Sequence, residues 1–399
     1  MIRTIRILWF SVTPSLFKAY SNSHNGGGWI ASLERIVRQV SEIELGIAFN
    51  FADENFVHEQ NGVKYYPISQ GCLETYKKII DDFKPDLIQI FGSENDFGVI
   101  CGKTKIPVVI HMQGCLPPYH NALFPVGMNP IDFVTQKGLS WRYRYIGLRS
   151  ESAFRKQAEK ELQTISNCRY FMGRTDWDRR LIDLFNPSAT YFHCEEALRQ
   201  SFLDGEEVWT GNEDGTKRVV SVISRPWYKG CDLILKTANL LTKYTNIDFE
   251  WQVYGIPEMH FYEHKYGINA SNVDIKVMGT ATEEELVKAL CCSSCYVHSS
   301  YIDNSPNSLC EAQILGVPVL ATHVGGISSL VKDGESGILF PANDPYTLAS
   351  LIKQVCQDKE MADALSKGAR KQALLRHDPE RIKQRLIQIY RHIIHENNT

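Results

Sequence analysis

The apolar positions of this chain fall into short continuous runs set between longer stretches of helical spacing. Ile5, Ile7, Leu8, Trp9 and Phe10 open it as a strand over 5–12, and similar runs recur at 43–49, 63–68, 86–91, 107–111, 169–172 and 189–193. Unbroken apolar runs of this length suit strands of a sheet covered on both faces, which has no polar side to alternate with. Between them, 73–83 and the stretch from Gly28 to about residue 40 place apolar residues three and four apart, as amphipathic helices do. The alternation predicts βαβ units and a parallel sheet.

After His193 the pattern breaks. Residues 194–216 are rich in acids and glycine and poor in large apolar side chains, which marks a linker. It then restarts, with strands at 217–224, 249–254, 273–278, 295–298 and 317–321 and helices at 231–241, 286–290, 307–315, 346–356, 361–374 and 379–395. A chain of 399 residues is too long for one ordinary core. The expected class is therefore α/β with two doubly wound, Rossmann-like domains, residues 1–205 and 206–378.

Composition narrows the function. A net charge of −3 carries no global signal for nucleic acid, and no apolar run reaches the length of a membrane span. Met1 to Phe10 is charged then apolar, but too short and without a small-residue cleavage site, so a first strand is the better reading than a signal peptide. The eleven cysteines lie mostly in apolar runs, as buried, reduced thiols of a cytoplasmic protein would. The one C-x-x-C, Cys292 to Cys295, has no second pair at metal spacing and reads as a helix end meeting a strand.

The chemistry concentrates in Tyr301-Ile302-Asp303-Asn304-Ser305-Pro306-Asn307-Ser308-Leu309-Cys310-Glu311. This is a polar loop entering a helix, with Pro306 at its start and Gly316 at its end. Free N–H groups and the positive end of the helix dipole suit a phosphate. Asp303 and Glu311 would repel one, so they are better read as acceptors for sugar hydroxyls. Together they describe a nucleotide-sugar pocket. Elsewhere, Gly26-Gly27-Gly28 enters a helix and suits close backbone approach to a ligand. Gly26, Gly28 and Ala31 satisfy G-x-G-x-x-A, but a long loop separates them from the strand, so a dehydrogenase is a distant reading. Gly102-Lys103-Thr104 lacks the first glycine of a P-loop, which rules out an NTPase. His111 ends a strand, where open α/β sheets place ligands. Arg225 and Lys229 follow the strand 217–224 as a pair of cations before Gly230. Over 141–156 basic and aromatic residues interleave, the pattern either of an interfacial patch meeting anionic lipid or of a solvated amphipathic helix. Thr175 is placed to cap a helix.

The stretch from Asp303 to Gly326 resembles the donor-binding motif of retaining glycosyltransferases of the GT-B fold, family 4. That pattern is Glu, seven residues, Glu, then a small-residue helix and Gly-x-Pro-Val. Asp303 stands at the first Glu, one methylene shorter, and Glu311 at the second; Gly325-Gly326 and Gly334 to Phe340 also match. The resemblance implies two domains facing across a cleft, with the last helix, 379–399, packing back on the first. It implies that a hexosyl group moves from a nucleotide diphosphate sugar, a UDP-sugar favoured, to a hydroxyl of a glycan or lipid-linked glycan in polysaccharide biosynthesis. Anomeric configuration is retained and neither cofactor nor metal is expected. Arg225 and Lys229 would carry the leaving-group charge, Asp303 would contact the donor sugar, and Glu311 the nucleotide ribose. Asn307, Ser308 and Leu309 would face the diphosphate through their N–H groups. His111, Gly27 and Gly28 would serve from the first domain. The expected partners are donor and acceptor, with no nucleic acid and with peripheral membrane contact through 141–156 at the inner face. The alternatives are a nucleotide-sugar epimerase of the same fold and a non-catalytic sugar-nucleotide-binding protein.

Overall fold

The computed structural model describes residues 4–17, 28–51, 56–135, 141–203, 205, 207–211, 215–224 and 227–398. Two compact units emerge. The first comprises Met1–Leu116, Lys156–Arg199 and His377–Thr399, and the second Pro117–Arg155 and Gln200–Arg376.

The first unit is built on strands β1 (Ile5–Ser11), β2 (Ile43–Asn50), β3 (His58–Gln60), β4 (Val63–Ile68), β5 (Leu87–Phe91), β6 (Val108–His111), β7 (Tyr170–Gly173) and β8 (Thr190–His193). Their order in the sheet is β3-β4-β2-β1-β5-β6-β7-β8, parallel throughout except for the edge strand β3. The period-two geometry of a strand explains why β1 reads as unbroken apolar. Ile7 and Trp9 enter the core on one face, Leu8 and Phe10 the core on the other, and all four are fully buried. The helix Leu73–Phe83 covers one face with Tyr76, Ile79 and Phe83. The last helix, Pro379–Asn398, covers the other with Ile382, Leu386, Ile389, Tyr390 and Ile393. Tyr390 also accepts a hydrogen bond from Trp9 Nε1 at 3.1 Å and donates one to Gln89, so its hydroxyl is satisfied inside the core. β3 is too short and polar for a periodicity reading to find it.

The second unit has strands β9 (Lys217–Val222), β10 (Phe249–Tyr254), β11 (Ile275–Gly279), β12 (Cys295–His298), β13 (Val319–Thr322) and β14 (Ile338–Phe340). They form a wholly parallel sheet in the order β11-β10-β9-β12-β13-β14. In both units the chain starts in the middle of the sheet, builds to one side, then crosses to the other. The strand order therefore reverses between β1 and β5, and between β9 and β12. Loops leaving the carboxyl ends of such strands diverge and open a crevice for ligands.

The segment Pro117–Arg155 departs from the expected division of the chain at 205. The sequence places it with the first half, yet it packs on the second unit. The reason is aromatic. Phe124 and Phe133 meet Trp227 edge-on, and Trp227 stacks on Phe261 at 5.1 Å. Met128 joins the same core, and Lys265 pairs with Asp132 at 2.8 Å. The stretch from Trp141 proves to be one long helix, Trp141–Asn167.

Candidate active site

The reversal between β9 and β12 brings two separated motifs together. After β9 the chain turns through Trp227, Tyr228 and Lys229; after β12 it runs from Ser299 to Asp303. The two loops are tied by backbone. Tyr301 N–H donates to the Tyr228 carbonyl at 2.6 Å, and Ser299 Oγ donates to the Lys229 carbonyl at 3.0 Å. Gly230 makes the approach sterically feasible: its φ is +78°, and a Cβ there would overlap the Ser299 carbonyl. Gly325 fills the same role behind Asp303, since a Cβ at that residue would overlap the Asp303 carbonyl oxygen, which accepts from Gly326 N–H at 2.9 Å.

Lys229 and Asp303 are thereby in direct contact, Nζ to Oδ2 at 2.6 Å, with only 7% of the Asp303 side chain exposed. The same oxygen accepts from Ser300 Oγ at 3.2 Å and lies 3.1 Å from His298 Nε2. The His298 ring thus lies against the carboxylate within polar contact distance. Oδ1 accepts from Asn304 N–H at 3.1 Å and, more weakly, from the Tyr119 hydroxyl at 3.4 Å. Burial alone would push this carboxyl up, but Lys229 and His298 outweigh it and hold the group well below the usual carboxylate range. Asp303 is therefore a fixed anion that locks the Lys229 ammonium in place. His298 and Tyr119 are the members that sequence reading missed. His298 carried a signal, as a histidine ending an apolar strand beside the motif; Tyr119 carried none.

The helix Asn307–Leu315 starts at Pro306 with no side-chain cap. Asn307 and Ser308 open its first turn, where no carbonyl of the helix itself can reach their N–H groups. Leu309 differs: its N–H donates to the Pro306 carbonyl at 3.1 Å, so it is not available to a ligand in this conformation. Ser308 Oγ bonds Tyr296 OH at 2.8 Å, and Glu311 is 1% exposed on the buried side of the helix. Arg225 lies outside the described residues.

The first unit holds the other expected residues. His111 ends β6 with 1% exposure, between Trp29 and Phe91 at ring distances of 5.2 and 5.8 Å. Its Nδ1 faces Gln89 Nε2 at 3.4 Å, while Nε2 is buried without a hydrogen-bond partner. Burial first, and the Arg174 charge second, lower its pKa to about 3, so the ring is neutral. Arg174 itself is buried, 3.0 Å from Glu196 and over the Trp29 ring. Thr175 caps its helix in a reciprocal box with Asp178, as expected. Gly28 begins the helix Gly28–Val37 against the Arg199 side chain; Gly27 lies outside the described residues.

Comparison with known proteins places the fold and the second half of the chain among relatives. Residues 206–372 match the family model "Glycosyl transferases group 1". A D-inositol 3-phosphate glycosyltransferase of Nocardioides sp. is 30% identical over 109 residues, which is 27% of this chain and 24% of that protein. The chain thus aligns with about a quarter or less of the length of the first curated relatives it matches. Over nearly full length, sucrose-phosphate synthase from Thermosynechococcus elongatus superposes with a TM-score of 0.73 at 15% identity, covering 98% of this chain and 100% of that one. HepE of Anabaena, solved with UDP-glucose, superposes with a TM-score of 0.65 at 15% identity, covering 96% and 99%.

Proposed function

We propose that this chain, which has the GT-B fold and a group 1 glycosyl transferase segment at 206–372, is a glycosyltransferase with one reaction. A sugar leaves a nucleotide diphosphate donor for a hydroxyl of a glycan or lipid-linked glycan acceptor, with retention of anomeric configuration and without a metal. The observation that carries this reading is the Lys229–Asp303 pair beside the open first turn of the helix Asn307–Leu315.

Cleavage of the bond between sugar and diphosphate builds negative charge on the leaving oxygens. A fixed ammonium at Lys229, the guanidinium of Arg225 and the N–H groups of Asn307 and Ser308 suit that charge, and preorganised donors in a dry crevice are worth far more than in water. The cations take the part a metal would otherwise play. Asp303 holds Lys229 and keeps its second oxygen for a sugar hydroxyl, displacing the Tyr119 hydroxyl. Glu311 takes the nucleotide ribose. From the first unit the proposal takes Gly28 and His111, the latter as a neutral hydrogen-bonding ring.

For the membrane contact the supporting observation is a face of the helix Trp141–Asn167. Trp141, Tyr145 and Leu148, spaced four and three apart, are 81%, 60% and 58% exposed, and exposed Arg144, Arg149 and Arg155 flank them. Aromatic and cationic residues on one exposed face suit an anionic lipid surface. Co-sedimentation with vesicles containing phosphatidylserine should fall at least several-fold in Trp141→Ala/Leu148→Ala; equal sedimentation would discard the contact.

The test of the reaction is a thermal-shift panel of UDP, GDP, ADP and their sugars, with and without EDTA, led by UDP because HepE was solved with UDP-glucose. A saturating ligand should add a few kcal/mol of stability. One nucleotide class should shift Tm, EDTA should leave the shift unchanged, and donor should be consumed appreciably only with acceptor present. No shift with any nucleotide would remove the reading.

A further inference from the structure

The first unit has its own crevice at the carboxyl edge of its sheet, where the strand order reverses at β1 and β5. A cavity of about 460 Å³ opens there, of a size that ligand pockets commonly have. Asn50 and Phe51 line it after β2, Ser69 after β4, and Glu94 and Asp96 after β5, with Tyr76 and Phe97 behind. The loop after β5 is held in shape. Gln157 Nε2 donates to the Glu94 carbonyl at 2.5 Å, and Asn95 Nδ2 to the Phe91 carbonyl at 3.2 Å. Gly92, at φ +85°, lets the Glu94 carboxyl fold back against it. The feature left unexplained is Glu94 Oε2, which is buried with no hydrogen-bond partner among the described residues. A buried carboxyl oxygen left unpaired is costly and points to an absent donor. Burial pushes the Glu94 carboxyl up, against the opposing pull of Arg174 and of a hydrogen bond with Asn95, and its oxygens can accept from sugar hydroxyls.

We infer that this cavity binds an uncharged, polyhydroxylated ring of the acceptor, whose hydroxyls pair with Glu94 while a ring face lies against the aromatic wall. The inference rests on the glycosyltransferase reading and fixes the acceptor class within it. Two carboxyls, three amides and aromatic rings line the cavity, with no lysine or arginine among the described lining residues. A phosphorylated or uronate ring would face Glu94 and Asp96 with no cation among the described lining residues, since Arg174, whose charge reaches Glu94, is paired with Glu196. Sugar hydroxyls are both donors and acceptors, and match the polar side chains of the lining.

The test is ligand-detected NMR on the full chain with methyl α- and β-pyranosides of glucose, galactose, mannose and N-acetylglucosamine, against glucose 6-phosphate and glucuronate. At least one neutral pyranoside should bind and the anionic rings should not compete with it. Glu94→Ala should weaken that binding tenfold or more, and Asn50→Ala on the opposite wall severalfold, while the nucleotide-induced Tm shift stays at its native value in both. That retained shift shows the variants folded and separates this inference from the donor assignment. Three outcomes would overturn the inference: no neutral ring binds in a protein that still responds to nucleotide, an anionic ring binds more tightly than every neutral one, or both variants bind as the native chain does.

Discussion

Asp303 is a shorter residue than the motif it resembles calls for, and its surroundings show how it would serve in the proposed reaction. The carboxylate is fastened by Lys229, Ser300 and Asn304 N–H, so its reach matters less than its ability to fix an ammonium. Replacing Lys229 with Ala should cost two to three orders of magnitude in kcat, because a preorganised charge on the leaving group is worth about 3–4 kcal/mol. Asp303→Asn should lose turnover as well and should leave the lysine mobile; steady-state kinetics that barely change in either variant would discard the assignment. His111 gives a pH prediction. Its folded pKa, about 3, lies below the unfolded value of about 6.5, so the unfolded state binds the extra proton between those limits. Stability from this group is complete above about pH 6.5 and is lost as pH falls toward 3, by an amount on the order of 4 kcal/mol. Urea midpoints measured from pH 7 to 4 should fall steeply in the native chain and less in His111→Phe. Parallel curves would show that the ring is not buried neutral. Asp303 has the same sense in a lower window: it stays ionised and stabilising above about pH 4, and acidification below that removes its contribution.

At the scale of elements, the site depends on two loops that glycines allow to touch. Gly230 is at φ +78° and meets the Ser299 carbonyl; Gly325 meets the Asp303 carbonyl. Gly230→Ala should destabilise the second unit by about 1–3 kcal/mol through strain and overlap. It should lower activity by more than that figure alone suggests, because Lys229 shifts with the loop. Chemical denaturation together with turnover checks both; an alanine variant with native stability would contradict the close approach. Much of this level was readable beforehand. The strands fall where unbroken apolar runs stand, the Thr175 cap was visible as a threonine before a helical pattern, and Cys295 opens β12 after the helix Glu283–Cys291 ends. The extent of the helix Trp141–Asn167 was not, because the interleaved basic and aromatic residues at its start fit an interfacial patch and a solvated helix alike.

For the whole molecule, the last helix is the informative element. Removing residues 379–399 would expose Leu386, Ile389 and Tyr390 contacts across β1 and β5 and strip the Trp9 hydrogen bond. Hydrogen exchange on such a truncation should show β1, β2 and β5 losing protection while β9 and β12 keep theirs. Uniform loss in both units would mean that the helix supports more than the first core. Local pattern determined a good deal by itself: two parallel α/β units, the helix entry at Asn307, and the cations and carboxylates to which the proposed donor chemistry is assigned. These are short-range properties, since strand runs, caps and helix ends are written in neighbouring residues. The tertiary structure decided what lies 74 residues apart in sequence but 2.6 Å apart in space, the Lys229–Asp303 pair, and it brought His298 and Tyr119 to the same carboxylate. It also moved Pro117–Arg155 to the second unit, because Phe124 and Phe133 find their aromatic partners there. No periodicity states which distant apolar surface a segment will cover; that is settled only when the strand order is complete and the faces left open compete for it.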